Sequence, residues 1–196
     1  MGKRLGMARM EALLENIKRE ISFGSGTLLV GHRRKVLRSS DFTSDAKVLT
    51  AADSGAVILL DEAAANTITL PQITAADIGW TCTIVQTIAS NNDNTVNTAY
   101  NNDYFIGSLM MLPSAVWAAG TAQDGLATSV IPGSTDTQLT FDDNLANGMG
   151  GVGSSVTITA ILTGNTGAGG GSKMVWLVEG CVYTADPNSN GTAIFT

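Results

Sequence analysis

The chain has 196 residues, a formal net charge of −6, only 14% charged residues and 22 glycines. This length allows one domain with a real core, or one domain with an arm. The acidic balance argues against a dedicated nucleic-acid-binding domain, which would be basic throughout, and no apolar run approaches the roughly 18 residues of a membrane helix. The N-terminus lacks the apolar stretch of a secretory signal, so we expect a protein made in a reducing cytoplasm.

The charges divide unevenly along the chain. Residues 1–38 contain nine of the eleven Lys and Arg against three Glu, a net charge of +6. Residues 39–196 contain two basic and fourteen acidic residues, a net charge of −12. A basic arm on an acidic body predicts that the arm contacts an acidic surface: nucleic acid, another protein, or the body of a neighbouring copy.

Residues 7–22 (MARMEALLENIKREIS) have the periodicity of an amphipathic helix. Their apolar side chains recur in steps of three and four and share one stripe: Met7, Met10, Leu14, Ile17 and Ile21. A solitary helix of this length is marginal in water, so the stripe needs a partner. Three partners are open: its own domain, another copy of the chain, or another protein.

Basic residues lie before and after this helix: Lys3, Arg4, Arg33, Arg34, Lys35 and Arg38. The second group is typical of a solvated linker, and its functional alternative is electrostatic docking on an acidic partner. His32, the only histidine, lies beside that group. Because no second histidine is present, a catalytic dyad or triad would depend on this one residue, and we expect none.

After residue 47 the pattern changes to short strands separated by turn signals. The continuous apolar run at 57–60 predicts a buried strand, and 61–66 predicts a turn. Ile68 and Leu70 alternate with threonines, so we expect both to face the core. Pro71 ends that strand because it cannot donate to the ladder.

Three further strands are predicted, at 80–87, 156–162 and 174–183, the last with a bend at Gly180. The segment 91–104 (NNDNTVNTAYNNDY) is predicted to be a polar loop. Strands without helices after residue 22 predict a mainly β protein with an antiparallel sandwich or barrel-like body and an N-terminal helical arm. We place the basic helical arm and linker at 1–46 and the β body at 47–196.

No motif predicts catalysis, a metal or a cofactor. The run GAGGGSK at 167–173 lacks the Gly-Lys-Ser/Thr order of a phosphate loop and predicts a hairpin turn. Cys82 and Cys181 form neither a disulfide framework nor a zinc signature, and we expect both to be buried free thiols. Aspartates in turns offer oxygens that calcium prefers, but their spacing matches no EF-hand: Asp93, Asp103, Asp136, Asp142 and Asp143.

The aromatic residues divide into two groups. Trp80 and Trp176 lie in predicted strands, and we expect both in the core. Tyr100, Tyr104 and Trp117 lie in or near loops. Packing between strands is the simpler interpretation for these three, and contact with a sugar or a neighbouring subunit is the alternative.

The order of framework motifs resembles a β module of virion proteins of tailed bacteriophages. The motifs are DSGAVILLD at 53–61, TITLP at 67–71, a strand led by GW at 79–80, and MVWLVEG at 174–180. The start, MGKRLGMAR, is similar to that of structural proteins from marine phages. The resemblance covers roughly 45–85 and 154–185, and the segment 90–150 has no counterpart.

The resemblance implies a structural virion protein, often a trimer. Such modules occur in capsid decoration (cement) proteins and in head or tail fibre subunits. We therefore expect a protein on the capsid surface that binds the major capsid protein through its arm and forms a homotrimer through its β body. The alternative is a fibre or receptor-binding subunit that contacts host glycans through Tyr100, Tyr104 or Trp117.

Overall fold

A computed structural model describes residues 34–72, 77–88, 92–100, 103–113, 128–133, 135–141, 150–162, 174–184 and 194–196. All of these residues belong to one unit, Arg34–Thr196. The predicted helix at 7–22 and the predicted turn at 167–173 lie outside the described residues.

The described residues are mainly β, as predicted, and include the short 3-10 turns Ser39–Asp41 and Ala51–Asp53. The strands in chain order are β1 Val36–Arg38, β2 Ala46–Val48, β3 Ala56–Leu60, β4 Thr67–Thr69, β5 Thr81–Gln86, β6 Asn94–Asn97, β7 Tyr104–Pro113, β8 Thr128–Val130, β9 Gln138–Phe141, β10 Ser155–Leu162 and β11 Met174–Thr184. They form a seven-stranded sheet in the order β1-β3-β5-β10-β11-β7-β8 and a four-stranded sheet in the order β2-β4-β6-β9.

The first six strands alternate between the two sheets. Strands β1, β3 and β5 are parallel neighbours in the first sheet, and β2, β4 and β6 are parallel neighbours in the second. Each of the strands β2 to β5 therefore lies on the crossover between two parallel strands of the other sheet, and a parallel pair requires such a crossover. We call this winding, residues 34–97, the coil. Val36 lies beside Val57 and Ala46 beside Thr67, a spacing of 21 residues in both sheets.

This winding corrects the predicted antiparallel body. Both sheets are mixed: five of the nine strand pairs between named strands are parallel, including β7 with β11. Strands β3 and β4, which flank the predicted turn at 61–66, lie in different sheets. The sequence pattern identified each strand but not its neighbour, because a turn of this length can return the chain to the same sheet or pass it to the other.

Two further boundaries differ from the predictions. Strand β1 lies wholly before residue 47 and β2 begins at Ala46, so the sheets begin about ten residues inside the predicted arm and linker. The predicted polar loop at 91–104 contains β6, which pairs with β4 and β9. Asparagine disfavours strands, but Val96 is buried in the core and the ladder partners on both sides override the local preference.

Side chains of both sheets meet in one hydrophobic core. Ile68 and Leu70 are buried, as the alternation predicted. Trp80 and Trp176 are also buried, as predicted, and their rings meet edge to face with centroids 5.7 Å apart. Such T-shaped pairs are favoured by the ring quadrupoles. The C-terminal residues 194–196 hydrogen-bond to β9 and place Ile194 in the core.

The turns of the coil carry two repeated features. Asn66 and Asn94 occupy equivalent positions before β4 and at the start of β6, and the Asn94 Oδ1 accepts hydrogen bonds from both the N–H and the Nδ2 of Asn66, each at 3.0 Å. The sequence TAADxG occurs at 50–55 and again at 74–79. Its glycines, Gly55 and Gly79, both have positive φ angles, 79° and 88°, that side chains rarely adopt.

Candidate assembly surfaces

Two of the predicted docking cations form ion pairs within the coil. The Lys35 Nζ donates to the Asp53 Oδ1 at 2.5 Å, and the Arg38 Nε donates to the Asp61 Oδ2 at 2.5 Å. Lys35 immediately precedes β1 and Arg38 ends it, so the two pairs hold both ends of β1 against the chain flanking β3. A role for either residue in docking on another protein stays a prediction.

The Asp61 carboxylate accepts more hydrogen bonds than the Asp53 carboxylate does. Besides Arg38, its carboxylate accepts hydrogen bonds from the Ser40 N–H at 3.0 Å, the Ser39 hydroxyl at 3.2 Å and the Ser40 hydroxyl at 3.3 Å. Burial acts to raise the pKa of Asp61, but these donors favour the charged form and lower the pKa to about 2. The carboxylate is therefore held ionised and links β1 to the chain that follows β3. We call Asp61 and the other side chains that link separate turns of the coil its joints.

Asp53 is held in a similar way. Burial again acts to raise its pKa, and the bond from Lys35 together with those from the N–H and hydroxyl of Thr50, both at 2.8 Å, lowers it. Asp53 is the fourth residue of the first TAADxG repeat. The acidic residue of this motif therefore has a framework role at its first occurrence.

The remaining arm residues predicted to bind a partner are mostly undescribed. Arg34 is exposed at the start of the described chain. The others lie outside the described residues: Lys3, Arg4, Met7, Met10, Leu14, Ile17, Ile21 and Arg33.

The predicted outer-loop contacts are only partly described. Tyr100 is 48% exposed in the bend after β6, and its carbonyl oxygen accepts a hydrogen bond from the Thr98 hydroxyl. Tyr104 is the first residue of β7 and is half-buried. Trp117 lies outside the described residues. The structure therefore offers one exposed aromatic side chain at this position.

The acidic positions weighed for calcium do not converge in the described part of the chain. There, no three His, Cys, Asp or Glu side chains are close enough to hold a metal ion. Asp103 is buried, and Asp136 accepts a hydrogen bond from the Gly133 N–H at 2.6 Å, as a turn residue does. Asp142 and Asp143 lie outside the described residues.

The two cysteines have different environments. Cys82 is buried as predicted, and burial, with a smaller contribution from Asp53, raises the pKa of its thiol to about 12. The prediction is wrong for Cys181, which is exposed. Successive residues of a strand face opposite sides, and on β11 Trp176, Val178 and Val182 face the core while Cys181 faces away.

Two surfaces of the described body expose apolar side chains, one along the edges of two strands and one on a face of the larger sheet. The first is the coil end, an open groove of about 320 Å³ along the exposed edges of β1 and β2, with Val36, Phe42 and Val48 among its lining residues. The second is the outer face, the side of the seven-stranded sheet that faces away from the core. Ile106 and Met110 of β7 lie on it and are 37% and 50% exposed.

Sequence analysis missed both surfaces and the TAADxG repeat. The repeat was detectable, since the same five residues recur 24 positions apart. The surfaces were not detectable, because they combine strands distant in sequence, such as β3, β11 and β7.

Comparison with known proteins adds no relative. No model of a known protein family matches this chain, and no curated protein is similar to it. No helix in the described part of the chain has the length and apolar character needed to cross a membrane.

Proposed function

We propose that this chain is a structural protein of a tailed-bacteriophage virion that decorates and stabilises the capsid shell. Its basic, helical N-terminal arm binds the major capsid protein, and its sandwich-like β body associates with other copies as a homotrimer. The protein is made in the host cytoplasm and acts on the capsid surface. It has no enzymatic activity and needs no cofactor, membrane or nucleic acid.

One observation carries the proposal: three of the four motifs that carry the resemblance to virion proteins, at 53–61, 67–71 and 79–80, lie in the coil, and the fourth is part of β11. Ile58 and Leu60 of the first motif and Ile68 and Leu70 of the second are core residues. Asp61, the last residue of the first motif, joins β1 to the chain after β3. A resemblance that consists of framework residues favours a structural protein, which acts through its shape and its binding surfaces.

The arm supplies two kinds of binding energy in this proposal. Burying an Ile or Leu side chain contributes ~1.5–3 kcal/mol, so even part of the Met/Leu/Ile stripe would hold an arm on the shell. Lys35 and Arg38 pair within the coil and lie at the two ends of β1, so the charge that the arm itself brings to the shell comes from the basic residues before them. Several tethered arms in one oligomer raise the avidity without new contacts.

The location is tested by antibody–gold labelling of the intact source particle in the electron microscope. Regular label over the head is the expected result. Label confined to the tail or to projecting fibres would contradict decoration of the capsid and favour a role in adsorption. Absence of label from particles that contain the protein would contradict the virion assignment itself.

The arm mechanism is tested by two neighbouring substitutions in the full chain. Ile17→Asp places a charge in the apolar stripe, and Asn16→Asp places the same group beside it. We expect Ile17→Asp to weaken binding to shells at least ~10-fold, since each ~1.4 kcal/mol lost is tenfold in affinity, and Asn16→Asp to bind nearly as wild type. Equal binding by the two variants would contradict docking through the stripe.

The second candidate is a fibre or receptor-binding subunit, and the exposure of Tyr100 favours it. An exposed aromatic ring offers a flat apolar surface with a polar end, which suits contact with a sugar. This function predicts measurable binding to host glycans that Tyr100→Ala abolishes. Glycan binding that survives this substitution would exclude Tyr100 as the contact.

A further inference from the structure

We infer that copies of this chain associate with one another through the outer face of the seven-stranded sheet. The inference rests on the proposed function only in that the β body self-associates. A reciprocal face joins two copies, so the inference predicts a dimer in place of the homotrimer, and it identifies the surface and the occupant. The occupant is another copy of this chain, and the argument rests on the composition, charge and size of the face.

The rim of the outer face is apolar on both sides. On one side Ile106 and Met110 are exposed on β7, and Leu177 of β11 lies beside Ile106 in the strand register. On the other side Val36 of the edge strand β1 is 54% exposed, and Val57 and Leu59 of the neighbouring β3 point outward and are half-buried. Exposed apolar groups arranged in rows on one flat surface are typical of an interaction site.

The centre of the face is polar but already satisfied. The Thr81 and Thr159 hydroxyls lie 3.2 Å apart across β5 and β10, and the Thr83 and Thr157 hydroxyls lie 3.3 Å apart. Covering a polar group is costly when it loses water without gaining a partner. Since these hydroxyls bond to one another, a second copy can cover them at a low desolvation cost.

The charges of the face suit a copy of the same chain. Among the outward residues of the described strands in this sheet, only Arg38 and Glu179 are charged. They lie on β1 and β11, four strand spacings or ~19 Å apart. In the strand register Arg38 is level with Cys181, and Glu179 lies two residues, or ~7 Å, away along β11. A second copy related by a two-fold axis near β5, inclined to the strands, sets each Arg38 opposite the other copy's Glu179, the reciprocal pattern of a two-fold interface.

Arg38 is available for this contact although it pairs with Asp61. Its side chain remains 58% exposed and the Asp61 bond uses the Nε. Arginine has five N–H donors in a planar fork, so a second carboxylate can bind the same guanidinium.

The size of the face also fits. Six strands, from β1 to β7 in sheet order, spaced ~4.8 Å apart and covered along about six residues of ~3.3 Å each give a flat area of ~29 by ~20 Å, or ~580 Å². Side-chain relief adds to this projected area. Stable interfaces bury ~800 Å² per partner, so the outer face is of the right order for association of two copies.

The first test compares Met110→Asp with Val48→Asp in the full chain by analytical ultracentrifugation over a range of concentrations. Both residues are exposed, but Val48 lies on β2 in the other sheet and is 66% exposed. We expect wild type and Val48→Asp to form the same oligomer and Met110→Asp to associate at least ~10-fold more weakly. Circular dichroism of each variant establishes that the fold is retained.

The second test uses Cys181 as a reporter on the same face. Cys181 lies between Ser155 and Met110 in the strand register and is exposed, whereas Cys82 is buried. We expect maleimide labelling of Cys181 in wild type to slow at least ~10-fold as the concentration rises through the association range. Met110→Asp should remain rapidly labelled at those concentrations.

The outcomes separate this inference from the proposed function. A wild-type oligomer whose Cys181 reacts as fast as in Met110→Asp would place the contact elsewhere and overturn the inference, without affecting capsid decoration. A wild-type protein that stays monomeric throughout would overturn the inference as well, and a wild-type trimer would overturn it while supporting the homotrimer of the proposed function. Protection of Cys181 in a protein that never labels the virion would support the inference and contradict the proposed function.

Discussion

Gly107 is the position where a single added methyl group tests the packing of β7 against β11 most directly. The two strands pair in parallel over ten residues and place Ile106 and Met110 on the outer face. A Cβ on Gly107 would lie 2.2 Å from the carbonyl oxygen of Val178, and the φ angle of Gly107 is 110°. Gly107→Ala therefore combines a backbone conformation that side chains avoid with a contact that no side chain can make.

Gly55→Ala isolates the first of these effects. Gly55 also has a positive φ, 79°, but a Cβ there has nothing within 4 Å. Left-handed backbone costs ~1–2 kcal/mol for a residue with a Cβ, and the stiffer unfolded chain returns ~0.4–1 kcal/mol. We expect Gly55→Ala to lower the free energy of unfolding by about 1 kcal/mol.

Gly107→Ala should lower the free energy of unfolding more than Gly55→Ala does, because relieving the contact with Val178 forces β7 and β11 apart. Overpacking of this kind adds ~1–3 kcal/mol, so we expect a total loss of about 3 kcal/mol. The assay is urea unfolding of wild type and both variants. With a slope of ~2 kcal/mol per molar urea, the midpoint should fall by ~1.5 M for Gly107→Ala and by ~0.5 M for Gly55→Ala. Equal shifts for the two variants would refute the close approach of Gly107 to Val178.

Two further predictions concern the joints of the coil. The pKa of Asp61 is about 2 in the folded protein against 3.8 as its ordinary value, so its contribution to stability is fully present above about pH 4 and is lost as the pH falls toward 2. Melting temperatures measured between pH 5 and 2 should fall less steeply in Asp61→Asn than in wild type, and parallel curves would contradict this role. Asn94→Ala leaves two buried donors of Asn66 without their acceptor, at ~1–3 kcal/mol each, so urea unfolding should show a loss of about 3 kcal/mol. Asn97→Ala, which removes the acceptor of one half-buried bond from Gln138, should cost about 1 kcal/mol, and an equal cost at both sites would contradict a special role for the Asn66–Asn94 pair.

The fold could be predicted wherever the information lies in consecutive residues. Side chains of a strand alternate between faces, so the pattern at 67–70 by itself placed Ile68 and Leu70 in the core, and both are fully buried. The same logic identified β5 with its buried Cys82 and Ile84. The class of the protein followed from these patterns, because many short strands with turns between them leave few alternatives to a mainly β body.

Only the tertiary structure decided which strands are neighbours. The turn at 61–66 carries no signal that β3 and β4 enter different sheets, since that choice depends on where the rest of the chain can pair. Once β1, β3 and β5 lie side by side, Arg38 meets Asp61, 23 residues away in sequence, and becomes a joint of the coil. The cluster of basic residues predicted exposed charge, and the Lys35 and Arg38 side chains are more than half exposed, but the sequence did not show that each pairs with an aspartate of the coil.

The outer face was likewise decided by which strands are neighbours. Its threonines, its apolar rim and its two charges come from strands scattered between residues 36 and 183, so no window of the sequence contains it. The amino-acid pattern by itself determined the strands and the residues that face the core. Which outward side chains form one surface was decided by strand order, because non-local pairing sets strand order and local periodicity does not.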